Sequence, residues 1–476
     1  MTTTESNREV KHTAWIHVGA TAEDQTFPTV GDLLAEDTRP VPAPLLEREV
    51  RTDLGSHPVS VEPYISTEYL KLEYERLWPK VWQMACRERE IENAGDYLEY
   101  KIGDQSVLVV RTEDGTIKAY QNSCLHRGTK LKDGCGNASD LRCRFHSWAW
   151  KLDGSIKNIP CRWDFPDVKD GELGLIPVRA ETWQGFVFIN FDVNAQPLAD
   201  FIGETVNRHF EAMPLTDAVK IVHVSKPVNI NWKNALNAFT ESYHVFSAHP
   251  QVVEFVADCN SQYDTYGMHG RMHTCLGAPS PYLDYPVDPQ TTLDALLSEN
   301  LADALGGAEG ALPPPTAEPG ESPRAALAEF VRAQMAQRTG GDFSELSDTV
   351  VLDGIQYFVF PNLCPWWSVA FPMVYRARPL GDDPNWCTFE AILLARFPAG
   401  QEPPPEATVI NLGKDEPWTS VEALGALGRI VDQDVTNMEY QQAGMRNRGL
   451  KSIWYANYQE SIPKQFAEDL ARFIGR

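Results

Sequence analysis

Short apolar runs alternating with polar residues dominate one stretch of the chain, from Gly95 to Asp192. Tyr97–Ile102, Ser106–Val110 and Thr116–Tyr120 each predict a short strand. Asp104-Gln105 and Glu113-Asp114-Gly115 punctuate them, the second as a hairpin signal. Trp148–Leu152 with Asp153-Gly154 predicts another hairpin, and Gly185–Phe191 an apolar closing strand. Ahead of this segment, Tyr69, Leu70, Leu72, Tyr74 and Leu77 recur at a helical period. The first sixty or so residues are polar and interrupted by Pro40, Pro42 and Pro44, which predicts an arm lying over the folded body. The second half of the chain changes character. Residues 285–345 are rich in Ala, Pro, Gly and Glu, as expected of a long loop with short helices over a site entrance. Ile355–Pro361, Trp366–Arg378 and Trp386–Phe397 predict strands of one antiparallel sheet. Thr419-Ser420-Val421-Glu422 has the form of a capping box, and Leu424, Leu427, Val431, Val435 and Met438 follow at helical spacing. The predicted class is α+β: an arm over residues 1–64, a small antiparallel β domain over 65–195, and a larger domain over 196–476 whose antiparallel sheet is flanked by helices.

Candidate chemistry concentrates in two loops of the β segment. Cys124-Leu125-His126 is followed after sixteen residues by Cys143-Arg144-Phe145-His146. Zn²⁺ accepts such a mixed set of two cysteines and two histidines. A zinc finger, however, usually takes both cysteines from one loop and both histidines from the other. Here each loop supplies one sulfur and one nitrogen. That order suits a Rieske [2Fe–2S] centre, with two cysteines on one iron and two histidines on the other. Two pairs of buried structural Cys and His residues are the bland alternative.

A second informative stretch is Asn231–Pro250. On a continuous helix, Trp232, Ala235, Leu236, Phe239, Tyr243 and Phe246 form one apolar face, and Asn234, Asn237, Glu241 and His244 the opposite one. The polar face holds no Lys or Arg, so it reads as the wall of an interior site. His249 lies about 140° from His244 on such a helix. Both can reach one metal only where the helix loosens, for which Ala248-His249-Pro250 is a plausible place. An iron site that activates O₂ typically adds one carboxylate to two histidines. Asp434 falls on the apolar stripe of the late helix, seven residues after Leu427, whereas Asp432 should face outward. A carboxylate on a core face is normally paired or bound to metal, so Asp434 is either the third ligand or a salt-bridged structural residue.

Composition narrows the function classes. The net charge of −24 argues against nucleic-acid binding. No apolar run reaches membrane-spanning length, and Met1–Lys11 lacks a signal-peptide core, so a cytoplasmic location is expected. Nine cysteines without regular pairing fit a reducing compartment; the seven outside the loops read as packing residues. Against the acidic background, Arg127, Lys130, Lys132, Arg142, Arg144 and Lys151 crowd around the two loops. They form either a steering rim for an acidic donor or scattered solvated charges.

Cys124-Leu125-His126-Arg127-Gly128 and Cys143-Arg144-Phe145-His146-Ser147-Trp148 resemble the cluster loops of the Rieske-type non-haem iron ring-hydroxylating oxygenases, large (alpha) subunit. That family's second loop more often reads C-P-Y-H-G-W, so Arg144, Phe145 and Ser147 depart from it. The loops also lack the extra cysteines of respiratory Rieske proteins. Asn231-Trp232-Lys233, Phe239, Glu241, Tyr243-His244 and His249 resemble the family's iron segment, in which E-N stands where this chain has Asn237-Ala238. The resemblance implies a [2Fe–2S] Rieske cluster on Cys124, His126, Cys143 and His146, and mononuclear Fe(II) on His244, His249 and Asp434. It gives Glu241 the role of a bridge from His244 to a cluster histidine, His146, of a neighbouring subunit. It also implies O₂, a ferredoxin and/or NADH-dependent reductase, and a homotrimer of alpha subunits, with or without a small beta subunit. The activity it implies first is cis-dihydroxylation of an apolar aromatic substrate. Monooxygenation or demethylation of O-methyl, N-methyl or quaternary ammonium groups is the alternative, and an electron carrier without the second iron is the third reading. Phe239, Phe246, Leu363, Trp366 and Phe371 are candidate cavity walls.

Overall fold

The computed structural model describes residues 28–51, 53–283, 285–298, 312–317, 322–367, 369, 372–397 and 400–476. Residues 1–27 of the expected arm, residues 299–311 and 318–321 of the 285–345 segment, and Phe371 fall outside these. Helix α1 (Thr67–Leu72), capped by the Ser66 hydroxyl on the Tyr69 N–H, runs into one π turn, Glu73–Leu77.

The β domain follows as β1 (Gln83–Arg87), β2 (Asp96–Ile102), β3 (Gln105–Arg111), β4 (Ile117–Gln121), β5 (Cys135–Asn137), β6 (Leu141–Arg142), β7 (Ala149–Trp150), β8 (Ile156–Asn158), β9 (Pro177–Trp183) and β10 (Phe186–Asn190). Seven strands pair antiparallel in the order β1-β10-β9-β4-β3-β2-β5, and β6-β7-β8 form a separate small sheet. Strand β3 is buried on both faces. Val107 and Val109 enter the main core, while Leu108 and Val110 pack under Cys124, Leu131, Cys143, Trp148 and Trp150. Alternate side chains of one strand thus support the loops on one side and join the rest of the chain on the other. Burying each such side chain contributes about 1.5–3 kcal/mol.

The second half has two sheets rather than one. Strands β12 (Val256–Tyr266), β13 (His269–Leu276) and β14 (Gly354–Phe358) pair in sequence, after β11 (Val219–Val228). Strands β15 (Leu363–Pro365), β16 (Met373–Pro379) and β17 (Cys387–Ala395) join β11 and the short β18 (Ile410–Asn411) in the order β15-β16-β17-β11-β18. The segment at Ile355 therefore belongs to a different sheet from its two expected neighbours, and β18 pairs parallel. Helices α2 (Trp232–Asn237) and α3 (Val245–Ala248) carry the site segment. The 285–345 region contains a seventeen-residue helix, α4 (Pro323–Thr339), rather than short helices alone. Helix α5 (Ala426–Met445) starts later than expected. Thr419 does not cap it; its hydroxyl and N–H donate to Asp432, and Gly425 precedes the first turn at φ 53°. Helix α6 (Ser461–Ile474) sets Phe466 against Trp232. Among the described residues no helix is long and apolar enough to cross a membrane.

The Asn231-Trp232-Lys233 triplet is an anchor. Asn231 Oδ1 accepts the Lys233 N–H and its amide donates to the Pro384 carbonyl. Trp232 Nε1 (2.8 Å) and Lys233 Nζ (2.5 Å) both donate to Glu73, and both charged groups are buried. This partner was not legible in the sequence. Replacing Glu73 with alanine strands a buried ammonium, so unfolding should become easier by about 3–5 kcal/mol in a chemical denaturation experiment.

Candidate metal centres

The two cluster loops fold alike. In the first, the Gly128 N–H donates to the Cys124 carbonyl and the Cys124 N–H to the Thr129 carbonyl. In the second, Ser147 donates to Cys143 and Cys143 to Trp148. The matching positions Gly128 and Ser147 both have positive φ, 76° and 60°, so Ser147 occupies a conformation that favours glycine. The result is convergent. The rings of His126 and His146 lie 4.6 Å apart, and the Nδ1 of each is buried with no partner among the described residues. The thiols of Cys124 and Cys143 face one another. Burial raises the Cys143 thiol, but the N–H groups of Phe145 and His146 outweigh it and hold the thiol below its usual range. Burial and then the neighbouring Cys143 push Cys124 up. Buried nitrogens normally find partners, so two orphans beside two sulfurs fit a group that accepts all four. Trp148 stacks on His126 at 5.0 Å. Outside, Phe145 and Trp163 are 60% and 80% exposed. The basic rim is partly neutralised: Lys130 pairs with Glu99 and Asp133, Arg144 with Asp133, and Arg142 with Asp140. The seven other cysteines are not all packing residues, because Cys135 and Cys161 are exposed.

The second site corrects the continuous helix over Asn231–Pro250. Helix α2 stops at Asn237, where the Thr240 hydroxyl takes the Asn237 carbonyl. Ser242 is then tied to β12, its N–H to Tyr263 Oη (3.1 Å) and its hydroxyl to the Asp258 carbonyl (2.7 Å). Tyr243 consequently faces outward, 40% exposed, instead of sharing the apolar face with Trp232. The break precedes both histidines, and His244 and His249 bracket the four-residue α3.

His244, His249 and Asp434 come together, with one ligand atom from each within 4.8 Å of the others. Asp434 Oδ1 lies 2.8 Å from His249 Nε2 and 3.4 Å from His244 Nε2. Donors about 2.1 Å from a metal and at right angles would be about 3.0 Å apart, so the spacing suits a cation held on one side. Behind the triad, Glu241 Oε1 accepts His244 Nδ1 at 2.7 Å and Oε2 accepts the His244 N–H at 3.1 Å. Gln433 Oε1 meets His249 Nδ1 at 2.9 Å. Burial acts against both charges of the pair. Yet Glu241 and Asp434 raise His244 well above its usual range, and the two imidazoles hold Asp434 below its own. Burial, with help from Glu241, pushes the nearby Glu460 up to about 7. Asp434 lies on the buried stripe of α5, as expected, while Asp432 is half-buried and holds the Trp418 and Thr419 N–H groups. Asn237, where the resemblance called for Glu, joins a buried chain through Tyr455 to Tyr64. Gln251 and Glu460 escaped the sequence reading, since neither lies at a motif position, and Gln433 was given no role although it precedes Asp434 directly. Phe239 stands against Tyr375 at 4.3 Å and Phe389 at 5.1 Å, forming an aromatic interior beside α2.

Among the described residues one other triad, His273, Cys275 and Asp353, has ligand-like spacing. Arg324 donates to both oxygens of Asp353, which already balances its charge.

Residues 81–169 match the Rieske [2Fe-2S] domain model, and residues 210–476 match the ring hydroxylating alpha subunit (catalytic domain) model. The oxygenase subunit of carnitine monooxygenase from Escherichia coli K12 is 32% identical over 222 residues, 46% of this chain and 58% of that protein. The alpha subunit of benzene 1,2-dioxygenase from Pseudomonas putida is 31% identical over 204 residues, 41% and 45% respectively. The matches thus span about half the length of these relatives. A quaternary ammonium Rieske monooxygenase, CntA, solved with L-carnitine, superposes with a TM-score of 0.61 at 17% identity, covering 89% of this chain and 96% of that one. Naphthalene 1,2-dioxygenase from Rhodococcus sp. gives 0.58 at 19% identity, covering 88% and 94%. The chain belongs to the Rieske oxygenase alpha subunits, with a Rieske domain for a [2Fe–2S] cluster and a ring-hydroxylating catalytic domain for a mononuclear iron.

Proposed function

We propose that the chain is the oxygenase component of a Rieske monooxygenase that oxidises a quaternary ammonium or other N-methyl substrate, in preference to the arene cis-dihydroxylation implied first. The observation that carries this reading is the similarity to the carnitine monooxygenase oxygenase subunit, 32% identical over 222 residues. Glu241, whose carboxylate holds the His244 imidazole through two contacts, is compatible with it. The arene reading draws on the aromatic interior around Phe239 and on the similarity to benzene dioxygenase.

In this reading Cys124, His126, Cys143 and His146 hold the cluster, and His244, His249 and Asp434 hold Fe(II). When bound, these groups supply single electrons and O₂ activation. The chain's own residues position them. Glu241 accepts from His244 Nδ1, which leaves Nε2 free to bind, and its remaining lone pairs can accept the outward N–H of His146 from a second copy in a trimer. Phe145, Arg127 and Lys132 lie in or beside the cluster loops, where a ferredoxin or NADH-dependent reductase would dock.

The test supplies surrogate reductase, ferredoxin and NADH with L-carnitine, γ-butyrobetaine, benzene and naphthalene. Hydroxylation beside nitrogen collapses to an amine and an aldehyde, so trimethylamine or formaldehyde should appear with the ammonium compounds. A dihydrodiol from an arene, with no amine released, would establish the arene reading instead.

A further inference from the structure

We infer that Gln356 and Trp366 form a hydrogen-bonding subsite beside the metal triad that selects a substrate carrying a hydroxyl group. This deepens the proposed ammonium reading and rests on it for the first substrate pair below. Gln356 is 2% exposed, yet neither its Oε1 nor its Nε2 has a hydrogen-bond partner among the described residues. The same holds for the buried Nε1 of Trp366. The Cys364 thiol lies beside the Gln356 amide, but sulfur is a weak partner for either end of it. Gln356 of β14 and Trp366 form an antiparallel bridge, so their side chains leave the backbone on the same side. Buried amides and indoles normally find partners, so three open atoms on two adjacent side chains point to a ligand.

Strand register aims these atoms inward. Gln356 pairs with Met272 and Met272 with Tyr263, whose hydroxyl holds the Ser242 N–H of the site segment. The row therefore faces the loop that carries His244. The indole of Trp366 lies over Gly354, where a Cβ would come within 3.0 Å of it. From the other sheet, Tyr375 stands 6.4 Å from Trp366 and 4.3 Å from Phe239. Burial and then the Asp434 carboxylate raise the Tyr375 phenol, which places this wall near the triad. The subsite thus borders the aromatic interior beside Asp434. Its open atoms are two donors and one acceptor. A hydroxyl accepts through two lone pairs and donates one O–H, so it satisfies all three. A carboxylate only accepts, and would set its own oxygen against the Gln356 carbonyl. Exchanging the two ends of the amide still leaves one donor and one acceptor, so the match does not depend on how the amide is turned.

The test compares substrates that differ by one hydroxyl. L-carnitine carries it and γ-butyrobetaine lacks it; 1-phenylethanol and ethylbenzene are the matching pair for the arene reading. With surrogate reductase, ferredoxin and NADH, kcat/KM should favour the hydroxyl-bearing member by about 100-fold or more, because a buried polar site rejects an analogue that leaves it unpaired. Gln356→Leu should bring that ratio below about 10 by slowing the hydroxyl-bearing substrate alone. Trp366→Phe, which keeps a ring and removes the N–H, should lower the ratio in the same direction. A packing role would slow both members equally and keep the ratio, and a site that merely holds water would show no preference in the unsubstituted protein. Either result overturns the inference. Discrimination in the arene pair, with neither ammonium compound oxidised, would instead overturn the ammonium reading and leave the subsite standing. No product from any of the four compounds overturns both.

Discussion

Glu241→Gln should retain the cluster's visible spectrum and full iron content yet turn over about 100-fold more slowly. The ligand atoms are untouched, so both centres should load. What changes is the group behind His244. The carboxylate accepts both from Nδ1 (2.7 Å) and from the His244 N–H (3.1 Å). An amide in the same place turns one accepting oxygen into a donor, leaving either a backbone N–H or an imidazole N–H opposed by another N–H. If the proposed trimer brings His146 of a second copy to Glu241, a donor there also could not receive its N–H. Oxidation of a pre-reduced cluster in single turnover should therefore slow in parallel with steady-state turnover. Unchanged rates would remove Glu241 from the electron route.

Asp434→Asn carries the other large effect. The side chain keeps its shape, but the one carboxylate on which both Nε2 atoms converge becomes neutral. Iron content should fall by the mononuclear atom, the cluster spectrum should remain, and turnover should drop to background. Metal uptake by the unsubstituted protein should also depend on pH in a definite direction. Without metal, Glu241 and Asp434 overcome burial and keep His244 protonated above its usual range, so binding must expel that proton. Affinity for Fe(II) should then rise with pH, measurable as proton release on titration. A variant that keeps its mononuclear iron would assign Asp434 to the ion-pair role instead.

The cluster loops were legible because their information is local: ligand order, spacing and a tight turn all lie within a few residues. Asp434 was legible for a related reason, as a carboxylate on an apolar helical stripe. The break after Asn237 was not, because it depends on Tyr263 and Asp258 of β12, which compete with the helix for the backbone of Ser242. Strands β12 and β13 were missed since they bury Asp258, Gln262, Asp264, Arg271 and His273, and so show no apolar pattern. Most of these groups find partners through their side chains, for instance Arg271 with Asp264 at 2.7 Å and His273 with Asp353 at 2.9 Å. The false capping box has a similar origin. Thr419 spends its hydroxyl on Asp432, thirteen residues away, and leaves the helix start to Gly425.

The most direct measurement is a single turnover of chemically reduced protein under ¹⁸O₂ with L-carnitine, the aldehyde being reduced by borohydride as it forms so that its oxygen cannot exchange with water, and mass analysis of the resulting alcohol. One ¹⁸O per product, formed by the unsubstituted chain and not by Asp434→Asn, is the result expected of an oxygenase working at His244, His249 and Asp434. Product whose oxygen comes from water, or labelled product formed equally by Asp434→Asn, would contradict it.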